Sequence, residues 1–234
     1  MKTLISSLLV LCCMANAAAQ VPQKTYRIKN GTKASEVIPY DDRFQYQEFT
    51  DGQVFFRNGR TGRAKLNYSL LHGEVMFIGP VNDTLLLTNN DFIHKIEIGS
   101  QAYYFNKGRG HIELIGDYGN VSLGKKLLLV RAGNEKLAAY NQYTETSSID
   151  TFSSFINHNG DFQFLQGSDK LILHKRELFF LMDRNAQFHF VNRASIGRLY
   201  PGHKREIESF IKINGYDLER EKDLRQVLDF CSTL

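Results

Sequence analysis

The sequence is poor in cysteine, and that shortage removes several classes of protein at once. Of three cysteines, Cys12 and Cys13 fall in an N-terminal stretch with the layout of a secretory leader. Only Cys231 remains, so no intramolecular disulfide is expected and no cysteine pair exists for zinc. Tryptophan is absent and proline numbers only 4, against 17 Phe and 11 Tyr. Strand-favouring aromatics therefore dominate the large side chains. No apolar run beyond the leader approaches the ~20 residues of a membrane-spanning helix. Charge of one sign is also lacking. With Lys2 removed with the leader, the bases only slightly exceed the 25 acids, too even a mixture for a nucleic-acid surface.

The leader itself reads as a signal peptide over residues 1–19. Lys2 supplies a positive start, residues 4–14 are apolar, and Ala15-Asn16-Ala17-Ala18-Ala19 offers small residues for cleavage. Cleavage after Ala17 or after Ala19 fits the small-x-small rule, the second being favoured. A lipoprotein anchor on Cys12 or Cys13 is disfavoured, because Leu11 or Cys12 would precede it where a small residue belongs. An exported chain of one or two domains is expected, with 42% hydrophobic residues to form its core.

Residues 20–132 form an antiparallel β-rich region, in which residues 44–132 mostly alternate with period two or carry short apolar runs. They predict strands at 44–49, 53–57, 64–69, 74–78, 84–87, 92–98, 101–106, 111–115 and 126–131. Glycine and asparagine turns separate them, too tightly for parallel crossovers, so the sheet should be an antiparallel meander. Residues 133–160 form an irregular connector: 135–140 fits a strand or a helical turn, and the Ser/Thr-rich 144–154 reads as a loop. Residues 161–234 predict strands at 161–165, 170–175, 177–182 and 187–192, with a turn at 183–186. Three short helices follow near 194–200, 203–214 and 218–231, with Gly215 as a C-cap, Asp217 as an N-cap and Cys231 on an apolar helix stripe. The predicted class is α+β: a mainly antiparallel β meander with three short C-terminal helices.

Candidate chemistry is thin. GNVSLGKKLLLV (residues 119–130) places Gly119, Gly124 and Lys125 as in a phosphate-binding loop. Lys126, however, stands where a magnesium-binding Ser or Thr belongs, and a strand-like run follows instead of a helix. A turn between strands is expected. GRGHIELIG (108–116) matches two glycines of a dinucleotide fingerprint, but Glu113 replaces the third. The seven histidines form no H-x-H or H-E-x-x-H, and no G-x-S-x-G is present. Neither a cofactor nor a metal is predicted. Asn30, Asn67, Asn82 and Asn120 begin N-x-[S/T] sequons. Four bases around one glycine turn, Arg57, Arg60, Arg63 and Lys65, could hold an anionic glycan, headgroup or phosphate, or form a solvated hairpin tip. Tyr103, Tyr104 and Phe105 are consecutive, so either one ring faces outward or the strand is buried on both sides.

In 44–78 an aromatic strand leads to Phe49-x-x-Gly52-x-Val54. Ala64-x-Leu66-Asn67-Tyr68 and Gly73-Glu74-Val75-x-Phe77-Ile78 follow it. This pattern, with a tail carrying Pro201, Lys204, Ile207, Phe210, Ile211, Lys212 and Asn214, resembles uncharacterised exported β-rich proteins of Bacteroidota bacteria. The resemblance implies export to the envelope and a β-rich body, and it carries no catalytic residue. Two functions are expected in order: a non-enzymatic module of the envelope or periplasm with a binding or structural role, its partner an envelope protein or glycan; or an extracytoplasmic hydrolase with a dispersed site, using His158 or His189 with Asp161.

Overall fold

The computed structural model describes residues 24–29, 32–87, 90–137, 143–146 and 170–234. The leader, the strand expected at 161–165, most of the loop expected at 144–154, and His158 and Asp161 lie outside the described residues.

The architecture is the predicted antiparallel sheet with three C-terminal helices. Ten strands follow one another in the order β1 (Thr25–Lys29), β11 (Lys170–Asp183), β9 (Val121–Leu137), β8 (Gly110–Asp117), β7 (Gln101–Asn106), β6 (Ile93–Ile98), β2 (Thr50–Phe56), β3 (Thr61–Ser69), β4 (Glu74–Ile78) and β5 (Thr84–Leu86). β10 (Tyr143–Thr146) pairs with β9, and β12 (Phe188–Phe190) with β11. The two groups of strands thus form one sheet, joined through the long β9–β11 ladder. The stretch read ambiguously at 135–140 belongs in part to β9, and 144–146, the start of the loop expected at 144–154, belongs to β10. The strands expected at 170–175 and 177–182 are one strand, β11.

The strand expected at 44–49 does not form; only Phe44 makes a bridge, to Ser69. The reason lies in Asn67. Its carboxamide accepts the Tyr46 N–H at 3.1 Å and donates to the Tyr46 carbonyl at 2.9 Å and the Glu48 carbonyl at 3.2 Å. A side chain thus meets the backbone groups that a ladder would have used. Asn67 is 0% exposed, so this sequon is closed to glycosylation in the folded chain. Two four-residue helices, α1 (Ala34–Val37) and α2 (Tyr40–Arg43), precede it.

The sheet curls back on itself. The link after β3 returns to the middle of the sheet: Leu129 N–H bonds the Leu70 carbonyl, His111 N–H bonds the Gly73 carbonyl, and the Tyr68 hydroxyl donates to the Leu127 carbonyl at 2.9 Å. The larger core contains Ile28, Leu66, Tyr68, Val75, Ile96, Ile98 and Tyr103, with Leu129 and Leu173 from the ladder. Two residues of the Tyr103-Tyr104-Phe105 run are half-buried and Tyr103 is fully buried, as a strand covered on both sides requires.

Farther along the same ladder, Val121, Leu123, Phe179 and Leu181 meet the helices α3 (Arg193–Leu199), α4 (Lys204–Asn214) and α5 (Glu221–Ser232). A capping box between Asn192 and Ser195 starts α3, and Gly215, in the left-handed region at φ 65°, ends α4. Asp217 does not cap α5 as expected. Its carboxylate is taken by the Glu219 N–H, and the helix begins after Arg220.

Leu224, Val227, Leu228 and Cys231 form the buried stripe of α5. Burial pushes the Cys231 thiol up to about 12. The native chain is therefore expected to resist a thiol-specific reagent at pH 8 and to label fully once unfolded in denaturant. Rapid labelling of the folded protein would show that α5 does not seal this position.

Candidate functional site

GNVSLGKKLLLV is a turn feeding a strand. Gly119 sits at φ 75° in the link between β8 and β9, where its N–H bonds the Asp117 side chain. From Val121 onward the backbone is extended, so no helix N-terminus exists for a phosphate. Gly124 serves packing. A Cβ there would lie 2.7 Å from the Ile112 side chain and 3.2 Å from Phe188. The two lysines diverge as strand alternation dictates. Lys125 forms an ion pair with Glu221 of α5 at 3.1 Å. Lys126 turns inward and donates to the Gly73 carbonyl.

Lys126 belongs to a sealed polar cluster where the sheet closes. It is 6% exposed, and burial lowers its pKa to about 8 against the favourable field of Glu74. His111 is fully buried. Its Nδ1 accepts the Val75 N–H at 3.3 Å, which leaves the proton on Nε2. Desolvation, with the Lys126 charge nearby, lowers the His111 pKa to about 3, so the ring is neutral at physiological pH. Close by in the core, the Tyr46 and Tyr103 hydroxyls meet at 2.6 Å, and Gln45 donates to Glu113 at 2.9 Å. Burial pushes Tyr46 up to about 12 and Tyr103 higher still. These groups hold strands together: Lys126, His111, Tyr103 and Glu113 are buried, and Gln45 and Tyr46 are partly so.

The four predicted bases divide. Arg57 and Arg60 occupy the exposed turn between β2 and β3; the Arg57 guanidinium donates to the Asp91 carbonyl, and the Arg60 N–H bonds the Asn58 side chain. Arg63 and Lys65 lie two apart on β3 and so share its exposed face. Register places Gln53 opposite Arg63 and Asp51 opposite Lys65, and β6 adds Glu97 beside Gln53. Lys65 and Asp51 pair at 3.1 Å. Lys95 pairs with Glu97 at 2.7 Å and lies over the Phe55 ring at 4.5 Å from its centroid. Asp51, Gly52, Gln53, Arg63, Glu97 and Gly99 line an open hollow of about 490 Å³. The bases thus do not form an isolated cationic tip; Arg63 and Lys65 sit in a face of mixed charge with planar hydrogen-bonding groups.

The glycine turn after β2 is the local signal that sets this hairpin register, and it brings Gln53 opposite Arg63; Asp51 lies outside the strand expected at 53–57, yet β2 includes it and sets it opposite Lys65. Glu97 has no such local signal, because β2–β6 pairing is remote in sequence. His189, expected in a hydrolytic pair with Asp161, which lies outside the described residues, meets Asp183 at 3.0 Å. Asp183 also accepts the N–H groups of Asn185 and Gln187, so this carboxylate organises the β11–β12 turn. Among the described residues no group of three or more His, Cys, Asp or Glu is placed to hold a metal, and no helix is long and apolar enough to cross a membrane. No family model, curated protein or solved structure matches the chain.

Proposed function

We propose that this chain is an exported, non-enzymatic β-rich module of the cell envelope or periplasm that binds a glycan or an envelope protein through the exposed face of β2, β3 and β6. One observation carries the reading: Asp51, Gln53, Arg63 and Glu97 converge on one open hollow of about 490 Å³ on a sheet. Carboxylate, carboxamide and guanidinium groups supply planar donors and acceptors for vicinal hydroxyls or for a partner's backbone. The strands beneath preset their spacing, so little ordering entropy opposes binding. The signal-like leader and the resemblance to exported Bacteroidota proteins support the location.

The test is retention of envelope polysaccharide or protein by the immobilised mature chain, compared with the double variant Gln53→Ala/Arg63→Ala. Loss of two hydrogen-bonding side chains at the centre of the hollow should weaken binding by at least about tenfold. Equal retention by both chains, or none above background by either, would remove this face as the binding surface.

A further inference from the structure

The hollow on β2, β3 and β6 holds one positive charge more than it balances. Two carboxylates line it, and each already has a cation: Asp51 pairs with Lys65 at 3.1 Å, and Glu97 with Lys95 at 2.7 Å. Arg63 lines the same hollow, is exposed, and has no ion pair among the described residues. Three cations against two carboxylates leave one positive charge, and it is the Arg63 guanidinium. The Gln53 carboxamide opposite Arg63 is likewise without a bond among the described residues.

The sheet makes this hollow a poor seat for three kinds of ligand. From Gly52 to Phe55 both edges of β2 are paired, one with β3 and one with β6. The floor therefore offers no free backbone groups to an added peptide strand. The lining residues are Asp51, Gly52, Gln53, Arg63, Glu97 and Gly99, with no aromatic ring among them. Phe55, the next residue on this face of β2, lies under Lys95 at 4.5 Å from its ring centroid. A neutral sugar that binds by stacking finds no platform here. A phosphate group would set its nearly double charge against Asp51 and Glu97, with one free cation to offset it.

We propose, resting on the reading of this face as the binding surface, that its ligand is a glycan bearing uronate groups, with one carboxylate seated on Arg63. Arg63, Gln53 and Glu97 form one cross-strand row on three neighbouring strands. The outer two stand about 10 Å apart at their backbones. The guanidinium takes both carboxylate oxygens in parallel bonds. Gln53 donates to and accepts from the ring hydroxyls beside that carboxylate. Glu97 accepts from the farther hydroxyl at Oε2, because Lys95 holds Oε1. The single surplus charge is then matched one for one, and Lys65 and Lys95 stay with their own carboxylates. The volume of about 490 Å³ lies within the range of small-ligand clefts.

The experiment measures retention of two soluble probes by the immobilised mature chain: polygalacturonate, and the same polymer with its carboxyl groups reduced to primary alcohols. The acidic form should be held at least about tenfold more tightly. Arg63→Gln keeps a planar hydrogen-bonding group without the charge, and should bring the two forms within about twofold of each other. Arg60→Gln removes an equal charge from the exposed turn outside the hollow, and should leave the preference in place. Polyglutamate carries carboxylates without ring hydroxyls, and should be held at least about tenfold less tightly than polygalacturonate.

Equal retention of the acidic and reduced polymers by the native chain overturns the proposal. So does an Arg60→Gln loss as large as that of Arg63→Gln, which marks diffuse attraction to a positive surface. Polyglutamate held as tightly as polygalacturonate also overturns it, and assigns the hollow to an acidic peptide. Failure of the binding face itself looks different. If the native chain holds both polymers alike and Gln53→Ala/Arg63→Ala releases both, the face binds glycan and only the carboxylate assignment falls. If it holds neither polymer but captures envelope protein through that face, the uronate assignment falls and the face stands. Retention of nothing removes both.

Discussion

Replacing His111 with glutamine should abolish much of the acid lability of this protein. In the folded chain the His111 pKa falls from an ordinary 6.5 to about 3, through burial first and the Lys126 charge second. The folded state therefore holds the ring neutral between those values while the unfolded chain binds a proton. Stability contributed by the neutral ring is complete above pH 6.5 and is lost as pH falls toward 3, at about 1.4 kcal/mol per unit. Urea unfolding at pH 7 and pH 4.5 reads the effect. Between these pH values the wild type should lose about 3 kcal/mol more than His111→Gln. Carboxylates and His174 titrate in both chains and cancel in the comparison.

At pH 7 the variant should be the less stable, by about 1–3 kcal/mol, because the buried Val75 N–H loses its fitted acceptor. Lys126 works in a different window. Its pKa is lowered to about 8, so the buried ammonium is a cost below pH 8 that lifts as pH rises toward 10.5. An equal acid loss in wild type and His111→Gln would show that protonation elsewhere governs the transition.

The sequence made the ladder legible wherever neighbouring strands are joined by short turns. β4 and β7 fall at their predicted positions, and β2 and β3 form the expected hairpin, because alternation and the glycine turns are local signals. It could not show closure. The bonds from Leu129 to Leu70 and from His111 to Gly73 join segments far apart in the chain. His111 and Lys126 carry no local sign of burial, yet closure buries them. The failed strand at 44–49 has the same origin: nothing local reveals that Asn67 will grip the backbone there. The candidate face was half visible for a related reason. Arg63 and Lys65 announce themselves as charges, while Glu97 joins them only through the remote β2–β6 pairing.

That distinction between local and remote demands gives the glycines of GRGHIELIG opposite weights. Gly108 and Gly110 both lie at positive φ, 78° and 71°. Around Gly108 there is nothing within 4 Å of an added Cβ. Gly108→Ala should thus cost about 1 kcal/mol, the left-handed backbone penalty alone. Around Gly110 the same atom would lie 2.6 Å from the Gly73 carbonyl oxygen and 3.0 Å from the Lys126 ammonium. That oxygen accepts both the His111 N–H and Lys126, so it cannot retreat without breaking the closure. Gly110→Ala should therefore cost about 3 kcal/mol or more, overpacking added to backbone strain. The difference between the two variants, about 2 kcal/mol in urea unfolding, measures how tightly the β3–β4 link is held against β8. The same pair separates two meanings of a glycine that permits close approach. In a dinucleotide fingerprint the neighbour is a ligand, and the alanine variant would keep its stability while losing binding. Here the neighbour is the chain's own backbone, so stability should fall in the purified protein with no ligand added. A Gly110→Ala chain as stable as Gly108→Ala would mean that the sheet does not close as described.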